Sequence, residues 1–190
     1  GHIIKSKRKI YTDLPKAFST ISELKQARYD VKVILYIRKP SSFIESSYLE
    51  YVSAGHALNF KDFIGSVNLD KFTWRNVIRD MRLILPNESI YIRKFENEIS
   101  KGSQAFLNRF ASLIKTGLKL KYPDQDNQNR SFSELALKVA LASYKVLEPE
   151  EIKNLSQVLK RELSNRELPK PSLLSDSEKV AIDEKQGYKL

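Results

Sequence analysis

Apolar positions along the chain fall into two rhythms, and each rhythm names an element. In "DLPKAFSTISELKQARYD" (13–30), Leu14, Phe18, Ile21 and Leu24 recur at helical spacing. Asp13 stands as N-cap and Pro15 lies in the first turn. "VKVILYI" (31–37) is β-branched and apolar with little alternation, the pattern of a strand buried on both faces of a parallel sheet. Pro40 then opens a helix through Ser53 that Gly55 ends, and a short helix follows over Phe60–Ser66. "WRNVIRDMRLIL" (74–85) is an amphipathic helix stopped by Pro86-Asn87, and "SIYIRKF" (89–95) is a second strand. Phe106, Phe110 and Leu113 share one face of a helix over 103–118. Two further helices are expected at 131–147 and 149–164. After the break "ELPKPSLL", a last short helix starts at its N-cap Ser175. "HIIKSKRKIY" reads as a short opening strand.

Strands alternating with helices at this spacing predict an α/β fold, a small parallel sheet flanked by helices with right-handed crossovers. The expected organisation is an α/β core over 1–118, a polar connection at 119–130 and a helical C-terminal region over 131–190 that packs on the core.

A chain of 190 residues, 41% hydrophobic, is long enough to bury a core. The formal net charge of +10 points to anionic partners: a phosphorylated cofactor, nucleic acid, an acidic polysaccharide or an anionic membrane surface. With no cysteine, disulfides and thiolate metal sites are excluded. His2 and His56 are the only histidines, so no metal site is expected. No apolar run reaches the length of a membrane span, and a soluble, cytoplasmic chain is expected.

The junction "LYIRKPSSFIESSYLEY" carries the candidate chemistry. In open α/β sheets, ligands sit at the C-terminal ends of strands, where helix N-termini point inward. Arg38 ends the first strand, and Ser46 lies eight residues on, two turns into the next helix. A phosphate over this turn would take a bidentate contact from Arg38 and a hydroxyl bond from Ser46. The competing reading has Arg38 in solvent or paired with Glu45, and Ser46 merely packing.

An apolar strand ending "IR", then "KP", then a helix with Ser eight positions after the Arg, resembles the 3′-phosphate motif of the PAPS-dependent sulfotransferases. PAPS is 3′-phosphoadenosine 5′-phosphosulfate, and PAP is the product it leaves. Tyr48, an aromatic soon after the serine, is most similar to the bacterial carbohydrate-type branch. "NVIRDMRLILPNESIYIRKFENEISKGSQAFLNRFASLI" resembles that family's following helix, strand, aromatic-Glu pair (Phe95-Glu96) and "FL" helix. The resemblance covers residues 28–118, and the tail loosely. It implies a P-loop-like sulfotransferase fold, a PAPS or PAP site held by Arg38 and Ser46, and sulfuryl transfer to a carbohydrate or glycan hydroxyl.

The family's 5′-phosphosulfate loop, of the form G-x-x-K-[ST]-G-[ST]-[ST], has no counterpart. "GHIIKSKRKIY" puts Arg8 where small residues are needed and supplies no second glycine. No catalytic base is recognisable. The expected fold is therefore an incomplete one, and catalysis by this chain alone is not expected.

Other residues carry plainer readings. His56 is a loop histidine, and Glu45 is a helix-surface residue that pairs at i+3 or i+4 or with Arg38. Arg93, Lys94 and Glu96 end the second strand at the same edge as Arg38, with Glu96 anchoring a loop by ion pairing. Trp74 belongs to the core, and "KSKRK" (5–9) is a solvated basic cluster. A non-catalytic basic module for nucleic acid or acidic polysaccharide stays open as the alternative. Without the family's phosphate-loop strand, the first strand presents an apolar edge, to be covered by a helix, by "HIIKSKRKIY" or by a second subunit in a homo-oligomer.

Overall fold

Two five-residue runs of β-branched and aromatic residues, Val33–Ile37 (β1) and Ile90–Lys94 (β2), pair in parallel in the computed structural model. The register sets Val33 against Ile90 and Ile37 against Lys94. The structure describes residues 14–67, 73–115, 117, 120–121 and 130–188. They form a mixed α/β chain of two compact units that interleave along the sequence. The opening segment "HIIKSKRKIY", the cluster 5–9 and Asp13 lie outside the described residues.

The sheet unit holds residues 14–39, 73–121 and 183–188 of those described. Its first helix, α1 (Leu14–Gln26), holds all four positions of the apolar pattern, ends before the segment 13–30 does, and buries no residue fully. Arg28 takes a left-handed φ of 64°, with Tyr29 N–H bonding back to Leu24 O and Arg28 N–H to Lys25 O. That paired arrangement closes a helix C-terminus. Lys25 Nζ then reaches Ile84 O at 2.6 Å.

β1 is not doubly buried as its composition suggests. Only Ile37 is fully buried, and Val33 to Tyr36 are half-buried. The sheet has two strands among the described residues, so each has a single strand neighbour. The Phe106 ring lies 5.1 Å from that of Tyr36 and covers part of β1.

Three helices complete the surroundings of the sheet. The first, starting at Trp74, is labelled α4 in chain order, after α2 and α3 of the second unit. It runs Trp74–Arg82 and buries Trp74, Val77, Ile78 and Met81 while Arg75, Arg79 and Arg82 stay exposed. Thr73 caps it by accepting from Asn76 N–H. Its last turn tightens at Leu83, whose N–H bonds to Asp80 O, so the helix ends before Pro86. A short helix, α5 (Phe95–Ile99), leaves directly from β2 and had no separate signal in the sequence. Gly102, at φ 89°, separates it from α6 (Ser103–Leu113). Arg109 of α6 bonds both the carboxylate and the backbone carbonyl of Glu98.

The helical unit holds residues 40–67 and 130–182 of those described. α2 (Pro40–Ser53) has the bounds its proline and glycine imply, with Ile44, Tyr48 and Val52 buried at intervals of one turn. Tyr48 donates to Leu58 O at 3.0 Å and meets the rings of Phe60 and Phe63, both on α3 (Phe60–Ser66). α7 (Glu134–Ser143) is capped by Ser133, and α8 (Pro149–Glu162) by a capping box of Glu148 and Glu151. Ser156 of α8 donates to Ser53 O, a carbonyl at the end of α2, at 2.6 Å. α9 (Asp176–Lys185) follows Ser175, whose hydroxyl accepts from Glu178 N–H as an N-cap does, and it straddles the division between the units.

Candidate functional site

β1 delivers the chain to Arg38 and Lys39, and the peptide between them is held at both of its polar atoms. Trp74 Nε1 donates to Arg38 O at 2.8 Å. Lys39 N–H donates to Glu96 Oε1 at 2.9 Å. The second oxygen of that carboxylate, Oε2, accepts from the Tyr188 hydroxyl at 2.8 Å. All of these groups belong to the sheet unit.

Each clamp residue is placed by its own element. Trp74 opens α4 with its side chain in the core, where Ile37, Trp74 and Tyr188 form one buried cluster with Leu35 and Ile92 packed on it. Glu96 lies in the first turn of α5, two residues beyond Lys94, the last residue of β2. Parallel register puts the ends of β1 and β2 side by side, so a residue just after one strand can reach the backbone just after the other.

Burial pushes the Tyr188 hydroxyl well above the ordinary phenol range, and the Glu96 carboxylate beside it pushes in the same direction. Tyr188 therefore stays a protonated donor across the physiological range. The Lys94 ammonium stands 5.2 Å from the centre of the Tyr188 ring.

The guanidinium of Arg38 lies 5.8 Å above the Phe95 ring. Phe95 leads on to Phe106, with ring centres 6.4 Å apart. Half-buried aromatic surface thus backs a cation at the C-terminal end of a parallel strand, the edge where α/β sheets bind ligands.

Arg38 belongs to the sheet unit; Ser46, half-buried on α2, belongs to the helical unit. Glu45 is engaged within the helical unit. It accepts from Leu174 N–H at 3.3 Å and faces Lys179 at 3.8 Å, partners far along the chain instead of neighbours on its own helix. His56 is exposed and stacks on Tyr51 with ring centres 4.1 Å apart. Trp74 is core, and also a donor to Arg38. Glu96 anchors a loop, but through a backbone N–H and a phenol. Tyr188 carried no signal in the sequence.

A cleft of about 170 Å³ opens beside Thr73, Arg75, Asn76, Lys185 and Gly187. Ligand pockets for molecules of drug or cofactor size run to about 300–1,000 Å³, and this cleft is smaller. Among the described residues no group of three or more acidic or histidine side chains gathers as a metal site would require. No helix among them is long and apolar enough to cross a membrane.

Comparisons with protein-family models, with curated proteins and with solved structures find no match to this chain.

Proposed function

We propose that this chain is a sulfotransferase-like domain whose Arg38 holds the 3′-phosphate of PAPS or PAP. The observation that carries the reading is the clamped 38–39 peptide at the end of a parallel strand, which sets an arginine at the ligand edge of the sheet. The clamp holds the backbone that carries the guanidinium, and the guanidinium fork matches two phosphate oxygens. The net charge of +10 favours the same kind of ligand.

In the reaction this reading implies, an acceptor hydroxyl oxygen attacks the sulfur of PAPS. The bond from sulfur to the bridging phosphate oxygen breaks, and PAP departs with that electron pair. The acceptor proton passes to a general base, a role assigned to no residue of this chain. The acceptor is a carbohydrate or glycan hydroxyl. With no 5′-phosphosulfate loop recognisable, the chain alone is expected to bind PAP without turnover.

A specific observation favours a second reading. Arg75, Arg79 and Arg82 line the exposed side of α4 at successive turns, a stripe suited to a polyanion. A non-catalytic module for nucleic acid or acidic polysaccharide would bind through such a stripe with steep salt dependence and no preference among nucleotides. Equilibrium dialysis of labelled PAP against unlabelled PAP, AMP and heparin, at low and physiological salt, separates the two. Displacement by PAP but not AMP supports the sulfotransferase-like site. Equal displacement by PAP and AMP, with heparin stronger than either and all binding lost at physiological salt, supports the basic module.

A further inference from the structure

The last described residue takes part in the clamp. Tyr188 is 8% exposed, and its ring packs with Ile37 at the end of β1 and with Trp74 at the start of α4. Gly187 suits the turn that brings the chain here. Its φ is +72°, and a Cβ placed there would stand 3.4 Å from Arg75 Cβ. The backbone before Tyr188 thus lies against the first turn of α4, and the phenol reaches Glu96.

The consequence follows from the geometry of a peptide. The 38–39 unit is planar, so bonds to its oxygen and its N–H together fix its orientation. With the β1 ladder holding the backbone before Arg38, a held 38–39 peptide also fixes the Arg38 carbonyl carbon, and so the Cα–Cβ bond from which the side chain starts. One end of the clamp, the indole of Trp74, is locked by the core. The other end is a glutamate with three rotatable side-chain bonds, which holds an amide only as firmly as it is itself held. Its second oxygen is fixed by Tyr188.

We propose that Tyr188 is a positioning residue: by fixing the Glu96 carboxylate it fixes the 38–39 peptide and, with it, the Cα–Cβ bond from which the Arg38 side chain starts. The effect on ligand affinity rests on the reading of Arg38 as a phosphate-binding residue. The effect on the peptide does not.

Amide hydrogen exchange followed by NMR tests the two parts separately on the full chain. In Tyr188→Phe, which keeps the ring and loses the hydroxyl, Lys39 N–H is expected to exchange about tenfold faster than in the wild type. The amides bonded within the β1–β2 ladder are expected to keep their rates. Glu96→Ala is expected to release Lys39 further. Glu96→Gln, which retains an acceptor for Lys39 and a partner for the phenol, is expected to restore most of the protection. Unchanged Lys39 exchange in Tyr188→Phe overturns the proposal, as does an increase shared equally by the ladder amides, which would mark a general loss of stability. Affinity for PAP is measured on the same samples and is expected to weaken several-fold in Tyr188→Phe. Failure of wild-type protein to bind PAP would remove the phosphate reading, while the exchange result would still decide the role of Tyr188.

Discussion

Lys39 N–H donates to Glu96 Oε1 at 2.9 Å across 57 residues of chain, tying the exit of β1 to the exit of β2. Trp74 Nε1 closes the other side of the same peptide at Arg38 O. A strand end in a two-stranded sheet has little ladder to hold it, and these side chains supply what the ladder does not.

Replacing Trp74 with phenylalanine keeps an aromatic ring in the core and removes the donor to Arg38 O. A carbonyl left without its partner in a part-buried site costs about 1–3 kcal/mol. The urea midpoint of Trp74→Phe is expected to fall accordingly with little change in slope. A midpoint equal to wild type would mean that the indole N–H contributes nothing to the junction.

Much of the helical pattern was legible because proline and glycine punctuate it. Pro40 and Gly55 bound α2 as expected, with Gly55 at φ 99°. The end of α1 was not legible, because Arg28 takes the left-handed position that glycine normally marks. β1 looked like a fully buried strand because residue type reports what a strand could bury, whereas the number of strands beside it decides what it does bury. Arg38, Trp74 and Glu96 stood out from spacing and position. Tyr188 did not, since its partner lies 92 residues away and no periodicity relates them.

Gly55 carries a second test of the helical unit. An added Cβ would meet Ile152 Cγ2 of α8 at 2.9 Å, on a backbone already at positive φ. Gly55→Ala is therefore expected to destabilise by about 1 kcal/mol or more, from strain and crowding together. Thermal unfolding at matched protein concentration checks this. A variant as stable as wild type would contradict the close approach of α8.

The buried phenols predict an alkaline weakness. Burial holds the hydroxyls of Tyr36, Tyr48, Tyr144 and Tyr188 above their ordinary value of 10.0, and Glu96 adds to the effect at Tyr188. The unfolded chain releases these protons at about pH 10 while the folded chain keeps them. The stability they contribute is thus fully present below about pH 10 and is lost as pH rises above it. Urea unfolding at a series of pH values from about 8 to about 11 should show this loss, with a shallower decline in Tyr188→Phe. Equal steepness in the two proteins would contradict the raised titration of Tyr188.

The central claim is that Arg38 presents a site for a 3′-phosphate. Calorimetric titration of PAP into the full chain, with AMP and the Arg38→Ala variant alongside, measures it most directly. The expected result is saturable binding of PAP, much weaker binding of AMP, and loss of about 1.5–3 kcal/mol of affinity in Arg38→Ala, the worth of a charge-assisted contact. Equal binding of PAP and AMP, or PAP binding untouched by Arg38→Ala, would contradict the account.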